Sequence, residues 1–73
     1  MKNPSNVLAL LKAKRKQNIS EAKSWSDNEA AEMIATYEKA KSIATEENDE
    51  YAVAVLVEKI SQVEEAISLK RRA

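Results

Sequence analysis

The sequence predicts an all-α fold: a small three-helix bundle whose third helix is the longest and carries coiled-coil-like heptads. Three observations predict it. The 73 residues include no Gly and a single Pro, so the residues that punctuate hairpins and tight turns are nearly missing. Apolar residues recur at spacings of three, four and seven, the period of one helix face. The chain is 44% hydrophobic and 33% charged, which suits solvated helices around one core and is too apolar for a disordered tail.

The first helix is expected over residues 4–23. Asn3 is placed to cap it, and Pro4 suits the first helical position, where its missing N–H has no partner anyway. Leu8, Leu11, Ile19 and Ala22 fall on one face. Arg15 interrupts that stripe and is expected to lay its stem along it. Asn18 offers an earlier, left-handed stop, but the longer helix accounts for Ile19 and Ala22 as well.

The second helix is expected over residues 27–44. Ser26 and Glu29 have the spacing of a capping box, and Trp25 stands where a hydrophobic staple would reach toward Ala30. Ala30, Met33, Ile34, Tyr37, Ala40, Ile43 and Ala44 then make one apolar stripe.

The third helix is expected over residues 49–71, with Asn48 as its cap and Thr45 as the alternative one turn earlier. Asp49 and Glu50 would sit in a first turn that favours negative charge. Val53, Leu56, Ile60, Val63 and Ile67 alternate at three and four, as heptad a and d positions do. Tyr51 to Val57 is rich in β-branched residues and in isolation reads as a buried strand. The apolar period runs on to Ile67 without a turn residue, so helix is the better reading. All five heptad residues are expected to be buried, and Val55, off that stripe, to be the exposed member of the run. Lys70, Arg71 and Arg72 complement the negative end of the helix.

A chain this short forms one domain, residues 1–73, whose single core supplies only about 3–5 kcal/mol. Without Cys there are no disulfides, and without Cys or His a structural zinc site has no favoured ligands. The first turns of the third helix are apolar on nearly every side, and such a helix belongs inside something. Self-association or a protein partner is therefore expected, with Tyr51, Val55 and Trp25 as the candidate contact residues.

Charge is balanced overall, twelve basic against twelve acidic residues, but unevenly placed. Residues 1–26 carry a net +5, residues 27–69 a net −8, and the last basic cluster +3. The run Lys12, Lys14, Arg15, Lys16 is the one patch suited to neutralising phosphates, and Trp25, if exposed, to stacking on a base. The competing reading is that these charges face water or the acidic second and third helices.

Catalysis has little to work with. There is no His, no Cys and no Gly-rich phosphate loop. Glu46-Glu47-Asn48-Asp49-Glu50 lacks the ligand alternation and central Gly of a calcium loop. No cofactor, metal or small-molecule substrate is expected. No stretch approaches the roughly 20 apolar residues of a membrane span. Val7 to Leu11 is followed at once by Lys12 to Lys16, the reverse of signal-peptide order, so a cytoplasmic location is expected. The Lys-, Glu-, Asn- and Ser-rich composition is of a kind met in small phage or bacterial proteins.

These features converge on a non-enzymatic helical adaptor or regulator, acting through helix–helix contact with another protein or a second copy. The alternative is a nucleic-acid-binding accessory protein that uses the basic first helix.

Overall fold

The computed structural model describes residues 5–72, all helix and turn: α1 (Ser5–Ala13), α2 (Arg15–Ala22), α3 (Asp27–Glu46) and α4 (Glu50–Arg72). The expected cap at Asn3 and Pro4 lies outside the described residues. The all-α reading holds, but four helices replace the expected three, because the first arm is divided at Lys14. The segment 51–57 is helical, as its period rather than its β-branched composition indicated.

The division at Lys14 has a tertiary cause. Ladder bonds run from the Lys14 N–H to the Leu10 carbonyl and from the Asn18 N–H to the Lys14 carbonyl. Between them, the Leu11 carbonyl accepts from the Gln62 side-chain amide of α4 at 3.0 Å. A side chain inserted into the helical ladder is a recognised origin of a bend. Asn18 is no stop. The helix continues through it, and its side chain donates to Gln62 Oε1 at 3.0 Å.

Helix α3, the expected second helix, begins as its cap signal indicates. Glu29 N–H donates to Ser26 Oγ at 3.1 Å, and Ser26 N–H donates to Glu29 Oε1 at 2.9 Å. Trp25, before the cap, packs with Leu69 against a cluster of Ile19, Ala22 and Ala66.

The turn between α3 and α4 corrects the expected role of Asn48. Asn48 does not cap α4. It adopts φ 58°, a left-handed conformation after the end of α3. Its N–H donates to the Thr45 carbonyl at 3.1 Å, and the Asp49 N–H donates to the Ala44 carbonyl at 2.9 Å. These two bonds are the Schellman closure of a helix C-terminus, usually made by Gly. In a chain without Gly, Asn is the residue that tolerates this conformation at least cost. Asp49 caps α4, its Oδ1 accepting from the Ala52 N–H at 3.1 Å.

The α1–α2 arm runs parallel to α4. The contacts Leu8–Tyr51, Arg15–Glu58, Asn18–Gln62 and Lys70 with the Trp25 carbonyl advance together along both segments. The α3 helix runs antiparallel to α4, with Tyr37 beside Lys59 and Ile34 beside Ile67. Helix α4 therefore lies between the two flanking segments, and most packing passes through it. The molecule measures 40 × 24 × 16 Å, wider than it is thick.

The buried apolar residues are Ile19, Ala22, Ala30, Ala44, Ile60, Val63 and Ala66. Four of the seven are Ala, so the helices approach closely but each contact removes little apolar area from water. Of the expected heptad row, Ile60 and Val63 are buried, whereas Val53, Leu56 and Ile67 are half-buried. Val55 is half-buried too. The exposed member of the apolar run is Val57, at 48% exposure, because it points away from both flanking segments. No helix among the described residues is long and apolar enough to cross a membrane.

Candidate partner-binding face

The flanking segments do not close over α4, and a groove runs between them. At its centre it is lined by Leu11, Asn18, Glu21, Ala22 and Trp25 from the first arm and the turn after it, Tyr37 from α3, and Lys59, Gln62 and Val63 from α4. This central part encloses about 210 Å³, room for one or two side chains. It continues past Leu11, Asn18 and Lys59 to Val7, Leu10 and Lys14 at one end. Past Trp25 it continues to Glu29, Glu32, Met33 and Thr36 at the other.

Two of the exposed large apolar residues, Val7 and Leu10, line one end of this groove. Leu10 is 57% exposed, Ile43 50% and Val7 44%. Val7 and Leu10 form the α1 rim. Ile43 follows Thr36 by seven residues, two helical turns along the same rim of α3. Val55 lies one turn before Lys59 on the same side of α4. Scattered exposed apolar side chains are ordinary, but apolar residues set on the rim of a concave face are candidates for contact.

The candidate contact residues divide by environment. Val55 and Trp25 are both half-buried, and Trp25 lines the groove. Tyr51 serves the fold instead, its hydroxyl accepting from the Leu8 N–H at 2.9 Å. Val7, Leu10 and Lys59 escape sequence reasoning as a set. The only signal was that Leu10 is apolar yet off the stripe formed by Leu8 and Leu11.

The basic run divides as well. Arg15 turns toward α4, where Nη1 meets Glu58 Oε2 at 2.8 Å and Nη2 meets Glu65 Oε1 at 3.2 Å. Lys12, Lys14 and Lys16 stay exposed. Three of the four charges therefore face water and the fourth is neutralised by the acidic helix.

Behind Arg15 lies a polar network that fastens the arm. Gln62 is buried at 4% exposure, donates to Glu58 Oε2 at 2.9 Å and to the Leu11 carbonyl, and accepts from Asn18. No buried side-chain N or O among the described residues lacks a partner. The Gln62 hydrogen bond, followed by the Arg15 contacts, holds the Glu58 carboxyl below the usual carboxylate range against the opposing effect of burial. At the groove, Lys59 Nζ sits 5.5 Å from the Tyr37 ring centroid, within cation–π reach. Burial raises the Tyr37 phenol above its ordinary value.

No family model, no characterised protein and no solved structure matches the chain.

Proposed function

We propose that the chain is a non-enzymatic helical adaptor or regulator that acts by helix–helix contact with another protein or a second copy of itself. The observation that carries this reading is the exposure of Val7 and Leu10, two large apolar residues, on the rim of one groove. A core built largely of Ala leaves little stability to spare, so covering this face would add to the stability of the fold as well as supply affinity. In this reading α1 and α2 act as one arm of a three-helix bundle, and the Val53 to Ile67 row of α4 pairs with α3 as a short coiled coil. The setting we infer is cytoplasmic.

A photo-crosslinking residue placed at Leu10, and separately at Ser20 outside the groove, tests the reading in cells. Discrete adducts from position 10 and none from position 20 are expected. Equal or absent crosslinking at both positions refutes it.

The exposed row Lys12, Lys14 and Lys16 favours a second reading, nucleic-acid binding by the first arm. Phosphate contacts weaken steeply with salt. Lys14→Glu with Lys16→Glu should then abolish retardation of a DNA or RNA fragment. If the parent retards neither at low salt, this reading fails.

A further inference from the structure

We propose that the outer flank of the first arm binds the phosphate backbone of a duplex nucleic acid, through Lys12, Lys16 and Lys23 and without sequence preference. The proposal deepens the nucleic-acid reading and rests on it.

The three lysines share one side of the arm. Lys16 follows Lys12 by four residues and Lys23 follows Lys16 by seven, spacings that return to one helix face. The ladder bonds into and out of Lys14 carry that phase through the bend. All three residues are exposed. Lys14 belongs to the other side, where it lines the groove with Val7 and Leu10.

The acids near this flank are already engaged. Glu58 and Glu65 of α4 both pair with Arg15, and Glu58 also accepts from the buried Gln62. Glu21, the acidic residue of α2, accepts from Gln17 at 3.4 Å and lines the groove. Among the described residues the ion pairs involve Arg15, Lys41 and Lys70, and none involves Lys12, Lys16 or Lys23. Lys12, Arg15, Lys16 and Lys23 therefore face only Glu58 and Glu65, four positive charges against two negative.

What the flank lacks selects the occupant. A lipid surface takes up apolar side chains, but Val7 and Leu10, the exposed large apolar residues of the arm, stand at the groove. A protein interface has an apolar centre in which Lys is depleted. A single strand stacks its bases on aromatic side chains, but Trp25 and Tyr37 line the groove and the Tyr51 hydroxyl holds the Leu8 N–H. The flank offers ammonium groups alone, spread over about 16 Å at 1.5 Å per residue. Contacts of that kind position a duplex by its phosphates and carry no sequence information.

Fluorescence anisotropy of a labelled duplex of about 20 base pairs, several times the length of the row, provides the test. The full chain is titrated at a series of salt concentrations. The logarithm of the binding constant should fall against the logarithm of salt with a slope of about −3, roughly −0.9 for each of three phosphates. Lys12→Gln, Lys16→Gln and Lys23→Gln should each reduce that slope by about one. Lys14→Gln, on the opposite side of the same arm, and Lys39→Gln, on α3, should leave it unchanged. Duplexes of unrelated sequence should bind equally, and a single strand of the same length more weakly. Circular dichroism checks that each variant keeps its helix content.

Other results overturn the proposal. A slope reduced as much by Lys14→Gln or Lys39→Gln refutes this flank while leaving the nucleic-acid reading intact. Tighter binding of the single strand, with quenching of Trp25 fluorescence, makes base stacking the mode of binding. Equal binding to phosphatidylglycerol vesicles refutes the duplex as the occupant. No duplex binding at low salt removes both the proposal and the nucleic-acid reading.

Discussion

Replacing Gln62 tests the account of how the first arm is held and why it bends. Its amide makes three hydrogen bonds, to the Leu11 carbonyl, to Asn18 and to Glu58. A neutral hydrogen bond contributes about 1 kcal/mol net, and one to a charged group about 1.5–3 kcal/mol. The full sum is not lost, because half-buried Asn18 can turn to water and Glu58 keeps Arg15. We therefore expect Gln62→Leu, which keeps apolar volume in the site, to cost about 1–3 kcal/mol. Gln62→Ala should cost more, because it also removes packing. Urea unfolding followed by helix circular dichroism measures both. The second readout is specific to the bend. Once Gln62 no longer holds the Leu11 carbonyl, the Arg15 N–H is free to take it, so the Arg15 amide should gain protection from hydrogen exchange in Gln62→Leu. Unchanged stability in both variants would refute the network as a fastening. Lost stability with no change at the Arg15 amide would refute Gln62 as the origin of the break at Lys14.

Other substitutions probe separate parts of the fold. Asn48→Ala should lower stability by about 1 kcal/mol, the cost of a left-handed conformation with an ordinary Cβ, whereas Asn48→Gly should hold or raise it; equal melting of Ala and Gly variants would refute the turn assignment. Ile60→Ala should cost about 2–5 kcal/mol through lost transfer energy and a residual cavity, leaving the chain largely unfolded by circular dichroism; native helix content would show that the core lies elsewhere. Acid should destabilise the protein. Glu29, held down by the Ser26 backbone and side-chain bonds, and Glu58, held down by Gln62 and Arg15, both have lowered folded pKa values. Their contribution is complete above the unfolded carboxylate value of about 4.3 and is lost as pH falls through the lower folded values. The urea midpoint should therefore fall as pH drops below about 4.3, and less so in Glu58→Gln.

Local chemistry was legible in the sequence wherever the cause was local. The Ser26–Glu29 box announced the start of α3, because both partners lie within one turn. The stripe of Leu8, Leu11, Ile19 and Ala22 announced the inner face of the first arm, and Arg15, interrupting it, was legible as a stem laid toward acidic helices. The break at Lys14 was not legible, because its cause is Gln62, a residue of another helix. Asn48 misled because Asn both caps helix N-termini and tolerates left-handed backbone; the neighbouring Asp49 offered the competing cap. Which of Val55 and Val57 is exposed depends on where the flanking segments lie around α4. For the same reason the groove was invisible. Val7, Leu10, Tyr37 and Lys59 are spread over three helices, and only the tertiary arrangement makes them one face.

The parallel docking of the first arm has a consequence for the order in which the molecule comes apart. Helices α3 and α4 are joined by a tight closure at Asn48 and pack as near neighbours in sequence. The arm reaches α4 only across a separation of 43 to 51 residues, through hydrogen bonds along its length and through the buried cluster of Ile19, Ala22 and Ala66. Contacts that close long loops form late in folding and are the first to open. We expect the α3–α4 hairpin to act as the nucleus and the arm as a separately opening unit. Native-state exchange would then show amides of residues 7–22 opening at a lower free energy than those around Ile60. A single common opening energy for both regions would rule this out. An arm that detaches on its own would also carry away one rim of the groove, so the docking face would be assembled only while the arm is seated.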